Sequence, residues 1–263
     1  MSSLDENLKG LEALAQPVVT HGRNLEAGES FPFHSHRRAQ LVYACSGVMT
    51  VTTRSAAYVV PPERAVWMPG GTEHRIDARG NIAMRNLYIE PSEVSVLQES
   101  VCVLQVTPLL RELIVTAVAA GPCYQADSPQ SRIISVILDQ LAIQPLASLA
   151  LPMPTDPRSL RVAQSLIAHP ADKRTLEEWA KEVGTSKRTL GRLFNSQTNM
   201  SFQAWRQQRR LLRALELLAT NDNVTTIALE VGYDSTSAFI AMFRRCLGTT
   251  PTRYMGTVKT NDE

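Results

Sequence analysis

Apolar positions along the first ninety residues recur in short runs of four to eight, cut by Gly and Pro. "AQLVYACSG", "VMTVTTRS", "AAYVVPP", "RAVWMPGG" and "IAMRNLYIEP" are rich in β-branched and aromatic residues and predict strands. Several short strands separated by turn signals predict a small barrel or sandwich. The period then changes. "PLLRELIVTAVAA" places Leu109, Leu110, Leu113, Ile114, Ala117 and Val118 on one helical stripe, and "SRIISVILDQLAI" does the same with Ile133, Ile134, Ile137, Leu138 and Leu141. Two such stripes exceed what one face of a small barrel needs, which predicts a helix-against-helix dimer interface; the alternative is that both helices cover the barrel. "QPLASLALPMPTDP" packs four prolines together, cannot continue a helix, and predicts a linker.

Beyond the linker the pattern is helical and it repeats. "AKEVGTSKRTLGRLF" aligns with "ALEVGYDSTSAFIAMF", Ala180 matching Ala228 and Gly184 matching Gly232 at a separation of 48 residues. Small alanines suit a close helix crossing. The glycines suit a left-handed turn at the end of the first helix. Ser186 and Ser235 are natural N-caps for the second helix, and Thr175 with Glu178 forms a capping box ahead of the first. Helix, short glycine turn and helix is the motif whose second helix enters the DNA major groove. Two in tandem, joined by the helix "SFQAWRQQRRLLRALELLA", predict units held about one DNA turn apart.

The stretches "RRLLRALELLA" and "VTTIALEVGYDSTSAFIAMFRRCLGTTPTRY" closely resemble the signature of the AraC/XylS family of bacterial transcription regulators, a likeness running from about Arg161 to Tyr254. It departs at Asn199, where that family often has Gly. In the first recognition helix Arg188, Gly191 and Arg192 follow the cap at spacings of three and four, and the resemblance implies that these positions read bases. Arg grips guanine O6 and N7 in a bidentate fork. The matching positions of the second helix are Thr236, Ser237 and Ala241, while Lys187, Arg244, Arg245 and Arg253 are expected at phosphates, which position without reading sequence.

Charge agrees with this division. From Thr155 onward there are 16 Lys/Arg against 11 Asp/Glu, and before it 11 against 14, so only the C-terminal part is suited to a polyanion, here double-stranded DNA. An RNA-binding module would need aromatic stacking platforms that this basic face lacks. Cys45, Cys102, Cys123 and Cys246 form no C-x-x-C pair, the N-terminus lacks a signal-peptide pattern, and no run approaches the ~20 apolar residues of a membrane span. These features predict reduced thiols in a cytoplasmic protein with no membrane partner.

Within "GESFPFHSHRRAQLVYACSG", His34, His36 and Gln40 share the parity of a strand face, and "PGGTEH" supplies His74. The two stretches resemble the paired motifs of cupin barrels, whose metal ligands are three histidines and an acidic residue. Gln40 stands where Glu is usual, Glu63 where the second motif opens with Gly, and Ala78 where it closes with Asn. The resemblance implies one divalent transition metal (Zn, Ni, Fe or Cu) on His34, His36, Gln40 and His74, left cationic by the Gln amide and open to an anionic ligand. Tyr43, Trp67 and Tyr88 are candidates for lining the same effector cavity.

These readings combine into a two-domain α+β chain with an N-terminal, cupin-like β-barrel. Residues 1–95 form the sensor barrel, 96–144 a helical dimerisation segment, 145–157 a linker, and 158–263 an all-α DNA-binding domain with tandem helix-turn-helix units. The expected function is sequence-specific transcriptional regulation by a homodimer that senses a small molecule, a divalent metal, or both. No catalytic residue is assigned. The alternative is a metal-dependent cupin enzyme of dioxygenase or isomerase type fused to a DNA-binding module; against it, Gln40 removes a carboxylate and Glu73 alternates away from its neighbouring ligand.

Overall fold

Short runs rich in β-branched and aromatic residues, punctuated by glycine turns, produce the strands that open the chain. The computed structural model describes residues 10–94, 99–144, 146–147, 150–219 and 223–254, and divides the chain into two compact units meeting near Ala150 and Leu151.

In the first unit nine strands form two antiparallel sheets: β1 (Val18–Leu25), β2 (Ser30–His34), β3 (Ala39–Ser46), β4 (Met49–Thr53), β5 (Ala56–Val60), β6 (Arg64–Met68), β7 (His74–Ala78), β8 (Ile82–Ile89) and β9 (Cys102–Gln105). One sheet runs β1-β8-β3-β6-β9 and is extended beyond β9 by the two-residue strand Leu146–Ala147, and the other contains β5-β4-β7-β2, so the barrel is an open one made of two facing sheets. The five predicted runs fall on β3, β4, β5, β6 and β8. The polar-rich β1 and the short β2, β7 and β9 lack that composition. β1 is nonetheless paired with β8 along its whole length, from Val18↔Ile89 to Leu25↔Ile82.

α1 (Pro108–Ala119) and α2 (Pro129–Ala142) follow, each with Pro in its first turn and an N-cap, Thr107 and Ser128. Their stripes pack against the first sheet within the unit. Leu110, Ile114, Ala117, Ile134, Ile137 and Leu141 are buried in one core with Leu41, Tyr43, Trp67 and Leu87 of the first sheet. The helices cover that sheet because its outer face, which carries Leu41, Tyr43, Trp67 and Leu87, is apolar. Leu109 was expected in the stripe but is 56% exposed, at the helix start where the periodic face has rotated outward. Segment 96–144 also carries β9, a strand, and the boundary expected at 95–96 borders residues outside those described. In the proline-rich stretch, two-residue and three-residue strands occur at Leu146–Ala147 and Ala150–Pro152.

The described residues of the second unit form the helices α3 (Pro157–Ala168), α4 (Leu176–Glu182), α5 (Lys187–Thr198), α6 (Phe202–Ala219), α7 (Val224–Glu230) and α8 (Thr236–Leu247). The caps fall at the expected positions. Ser186 accepts from Thr189 N and Ser235 from Ala238 N, and the Thr175–Glu178 capping box is complete. Both inter-helix turns use glycine at positive φ, +67° at Gly184 and +84° at Gly232. Both close with the same bond, Thr185 N–H to the Ala180 carbonyl and Tyr233 N–H to the Ala228 carbonyl, each 2.8 Å. Asn199 caps α5 at φ 55°, so the departure from Gly is met by the residue that next best tolerates this region. Phe194 packs edge-on against Phe202 and Trp205, and its repeat counterpart Phe243 against Phe239 and Tyr254, so each unit has its own aromatic core.

Candidate functional site

Two groups of residues carry chemistry. The first lies on α5 and α8. Lys187, Arg188, Arg192, Ser237, Ala241, Arg244, Arg245 and Arg253 are exposed, and Thr236 is half-buried. Gly191 is half-buried beside α4: a Cβ there would stand 3.3 Å from Leu176 Cδ2, so its small size also serves the helix crossing.

Several arginines of this unit are engaged within it. Arg158 pairs with Asp156, Arg174 with Asp172 and Glu182 while stacked over Trp179, and Arg213 with Glu216. Arg206 and Arg210 donate to backbone carbonyls. Arg188, Arg192 and Arg244 make no hydrogen bond or ion pair among the described residues. Exposed arginines held in helices without an internal partner are available to an external anion. On α8, Ile240 joins Ser237, Ala241, Arg244 and Arg245 along a shallow groove. Sequence reasoning passed over Ile240, although it lies three residues from Ser237 and on the same helix face.

The second group lies at a cavity between the two sheets of the first unit. The potential ligand atoms of His34, His36 and His74 lie within 4.8 Å of one another. They come from three places. His34 ends β2, His74 begins β7 directly opposite it, and His36 sits in the connection to β3. The shared strand face expected for His34, His36 and Gln40 is thus not one strand, because the chain crosses from one sheet to the other between residues 34 and 39.

Each ring is oriented by backbone. His34 Nδ1 lies 2.8 Å from the Pro32 carbonyl, His36 Nδ1 2.7 Å from that of Arg38, and His74 Nδ1 2.9 Å from that of Thr72. A carbonyl only accepts, so Nδ1 carries the proton in all three and Nε2 is left with its lone pair. His74 is fully buried, and burial foremost, with His34 and His36 beside it, lowers its pKa to about 4, which keeps the ring neutral. Its Nε2 is buried without a hydrogen-bond partner. An orphaned lone pair facing two more imidazoles fits a cation with nitrogen ligands. His36 Nε2 lies 2.8 Å from the Gln40 side-chain amide oxygen position; since Nε2 accepts, the amide NH₂ is the group that meets it, the two ends of the amide being interchangeable.

Tyr88 lines this cavity, edge-on to His36 at 5.2 Å, with its hydroxyl pKa pushed up to about 12 by burial. Tyr43 and Trp67 do not line it. They alternate to the other face of the first sheet and lie in the core under α1 and α2. Glu73 points outward and pairs with Arg54. Sequence reasoning missed Leu11, His21, Arg23, Phe31, Ile76, Met84 and Asn86, which complete the lining. The one available signal was odd-numbered parity along β1, and β1 had no strand-like composition to reveal it.

Residues 16–150 match the model of the AraC-like ligand binding domain, and residues 179–257 match a helix-turn-helix domain. The HTH-type transcriptional regulator NimR of Escherichia coli (strain K12) is 39% identical over 229 residues, covering 87% of this chain and 84% of that protein. The HTH-type transcriptional regulator RipA of Corynebacterium glutamicum is 40% identical over 103 residues, 39% of this chain and 31% of RipA. Among solved structures, ToxT from Vibrio cholerae O395 aligns over 92% of this chain and 98% of its own at 13% identity, with a TM-score of 0.40.

Proposed function

The chain belongs to the AraC family of DNA-binding transcriptional regulators with an N-terminal ligand-binding domain, and from that premise we propose how its own residues divide the work. α5 reads base edges through Arg188 and Arg192, with Gly191 letting the helix approach. α8 reads through Thr236, Ser237 and Ala241. Lys187, Arg244, Arg245 and Arg253 contact phosphates. The observation that carries this reading is that Arg188, Arg192, Arg244 and Arg245, exposed on the second helix of the two helix-turn-helix units, make no hydrogen bond or ion pair among the described residues.

The first unit senses a small molecule in the cavity between its sheets. His34, His36 and His74 hold a divalent transition metal there through Nε2, with Gln40 as the neighbouring polar group. The orphaned His74 Nε2 supports the assignment. When bound, such an ion offers a Lewis-acidic anchor for a lone pair or anion on the effector. The chain's residues orient the imidazoles and exclude water around them.

The protein acts in the cytoplasm as a homodimer, and no helix among the described residues is long and apolar enough to cross a membrane. The apolar residues left exposed on the helical layer, Leu109, Val136 and Ile143, are the surface offered for pairing. Ile143→Glu should shift sedimentation toward the monomer without lowering stability. The competing enzyme reading lacks a carboxylate at the histidines, since Glu73 is engaged with Arg54; turnover of a bound small molecule would favour it.

Selection of fragments bound from the source genome, followed by quantitative binding, tests the main reading. We expect a defined sequence held at least about 10³-fold above random DNA. Uniform binding to all sequences would overturn it.

A further inference from the structure

Arginine side chains in the first unit are almost all satisfied internally. Arg38, 1% exposed, donates to the Leu14 and Gln16 carbonyls and pairs with Glu90. Arg85 donates to the Met84 carbonyl and Asn24, Arg79 to Thr50, and Arg111 to the Cys45 carbonyl and Tyr43. Arg23 differs. It is half-buried, lies over the Phe31 ring at 4.7 Å, lines the cavity, and donates no hydrogen bond among the described residues. No Asp or Glu lines the cavity with it. A guanidinium carries five donors and remains charged. Enclosed without a carboxylate partner, it is a receptor for an anion that arrives from outside.

Strand register sets where that anion sits. Arg23 is opposite Met84, His21 opposite Asn86, and Gln40 opposite Tyr88. The arginine end and the histidine end are therefore four strand residues apart, roughly 13 Å at about 3.3 Å per residue. Between them along the strands lie His21 and Asn86, and Phe31, Ile76 and Met84 supply the apolar part of the lining. The two ends lie only that far apart, which suits a compact molecule over a long-chain lipid.

We propose that Arg23 is the anion-recognition residue of the sensory cavity, and that the effector is a compact organic carboxylate. Its carboxylate meets the Arg23 fork, its apolar body lies against Phe31, Ile76 and Met84, and its far end points toward His34 and Gln40. The assignment rests on the first unit being the ligand-binding domain.

The test is calorimetric titration of the full chain with 3-phenylpropanoate and hexanoate and with their uncharged amides. Each is run on metal-free and zinc-loaded protein, so that carboxylate binding at Arg23 is separated from coordination at the histidines. In wild type we expect the acids to bind about 10- to 100-fold more tightly than the amides, as for a charge-assisted hydrogen bond, with the preference kept in the metal-free form. Arg23→Gln should abolish it. Arg23→Met, which keeps an apolar stem over Phe31, should do the same if the Gln variant folds poorly. A preference that survives both variants, or that disappears on removing metal, overturns the assignment. Amides binding as tightly as acids overturn it while leaving the sensory role standing, and so does failure of either acid to bind at millimolar concentration, because the sensory role is judged separately by operator affinity.

Discussion

Gly232, in the turn of the second helix-turn-helix unit, lies directly against Ala171 of the loop that precedes the first: a Cβ at 232 would stand 2.8 Å from the Ala171 Cα. Arg210 reinforces the contact by donating to the Pro170 and Asp172 carbonyls, and Lys173 pairs with Asp234. The two reading units are thus stapled together by backbone as well as joined by α6. A sequence alignment shows only that both turns need glycine. The structure shows that the second glycine has an additional reason.

Gly232→Ala is therefore expected to cost more than Gly184→Ala. Both force a Cβ into positive φ, at about 1 kcal/mol or somewhat more. Only Gly232 also drives that Cβ into backbone, whereas nothing lies within 4 Å of a Cβ at Gly184. Urea denaturation of the two variants measures this, with Gly232→Ala expected to lose roughly 1–2 kcal/mol more. Equal losses would mean the Ala171 contact yields freely.

Arg192→Ala should cost about 1–3 kcal/mol at the preferred operator and relax discrimination at one base position, while Arg245→Ala weakens all sequences alike. Binding to an operator and its single-base variants measures both. An unchanged base preference in Arg192→Ala would remove that residue from the reading set.

Metal retention should respond to Gln40 in a definite direction. Gln40→Glu places a carboxylate beside His36 Nε2, adding a negative charge and an oxygen ligand of the kind zinc accepts. Competition with a chromophoric chelator should show zinc held at least about tenfold more tightly than in wild type, and His36→Ala should abolish stoichiometric binding. If neither variant changes zinc affinity, the histidines do not hold a metal.

Acid sensitivity is expected at Glu90. Hydrogen bonds from Arg37, with the nearby charges of Arg38 and Arg37, hold its carboxyl below the ordinary value of 4.5. A carboxylate depressed in the folded state stabilises above the unfolded pKa, and that contribution is lost as pH falls through the folded one. Glu90→Gln should lower stability at pH 7 by about 1 kcal/mol or less, because its partner Arg37 is solvent-exposed, and flatten the decline of Tm below pH 4.5. A variant with the same acid limb as wild type would assign the decline to other groups.

What the sequence determined by itself is local. Helix caps at Ser186 and Ser235, glycine turns at 184 and 232, and the repeat at 48 residues follow from short-range sterics and hydrogen bonding, so they could be read before any fold was known. The histidines that converge were also legible, because imidazoles spaced by two residues are unusual enough to notice. Tertiary structure decided the rest. Tyr43 and Trp67 belong to the core under the helices because strand alternation selects a face, and which face is the cavity depends on the partner sheet. The helical stripes cover a sheet because burial needs only an apolar surface and does not specify whose. Arg23 and His21 reach the cavity through the pairing of β1 with β8, a register set by contacts more than fifty residues distant, and no run of neighbouring residues encodes such a contact.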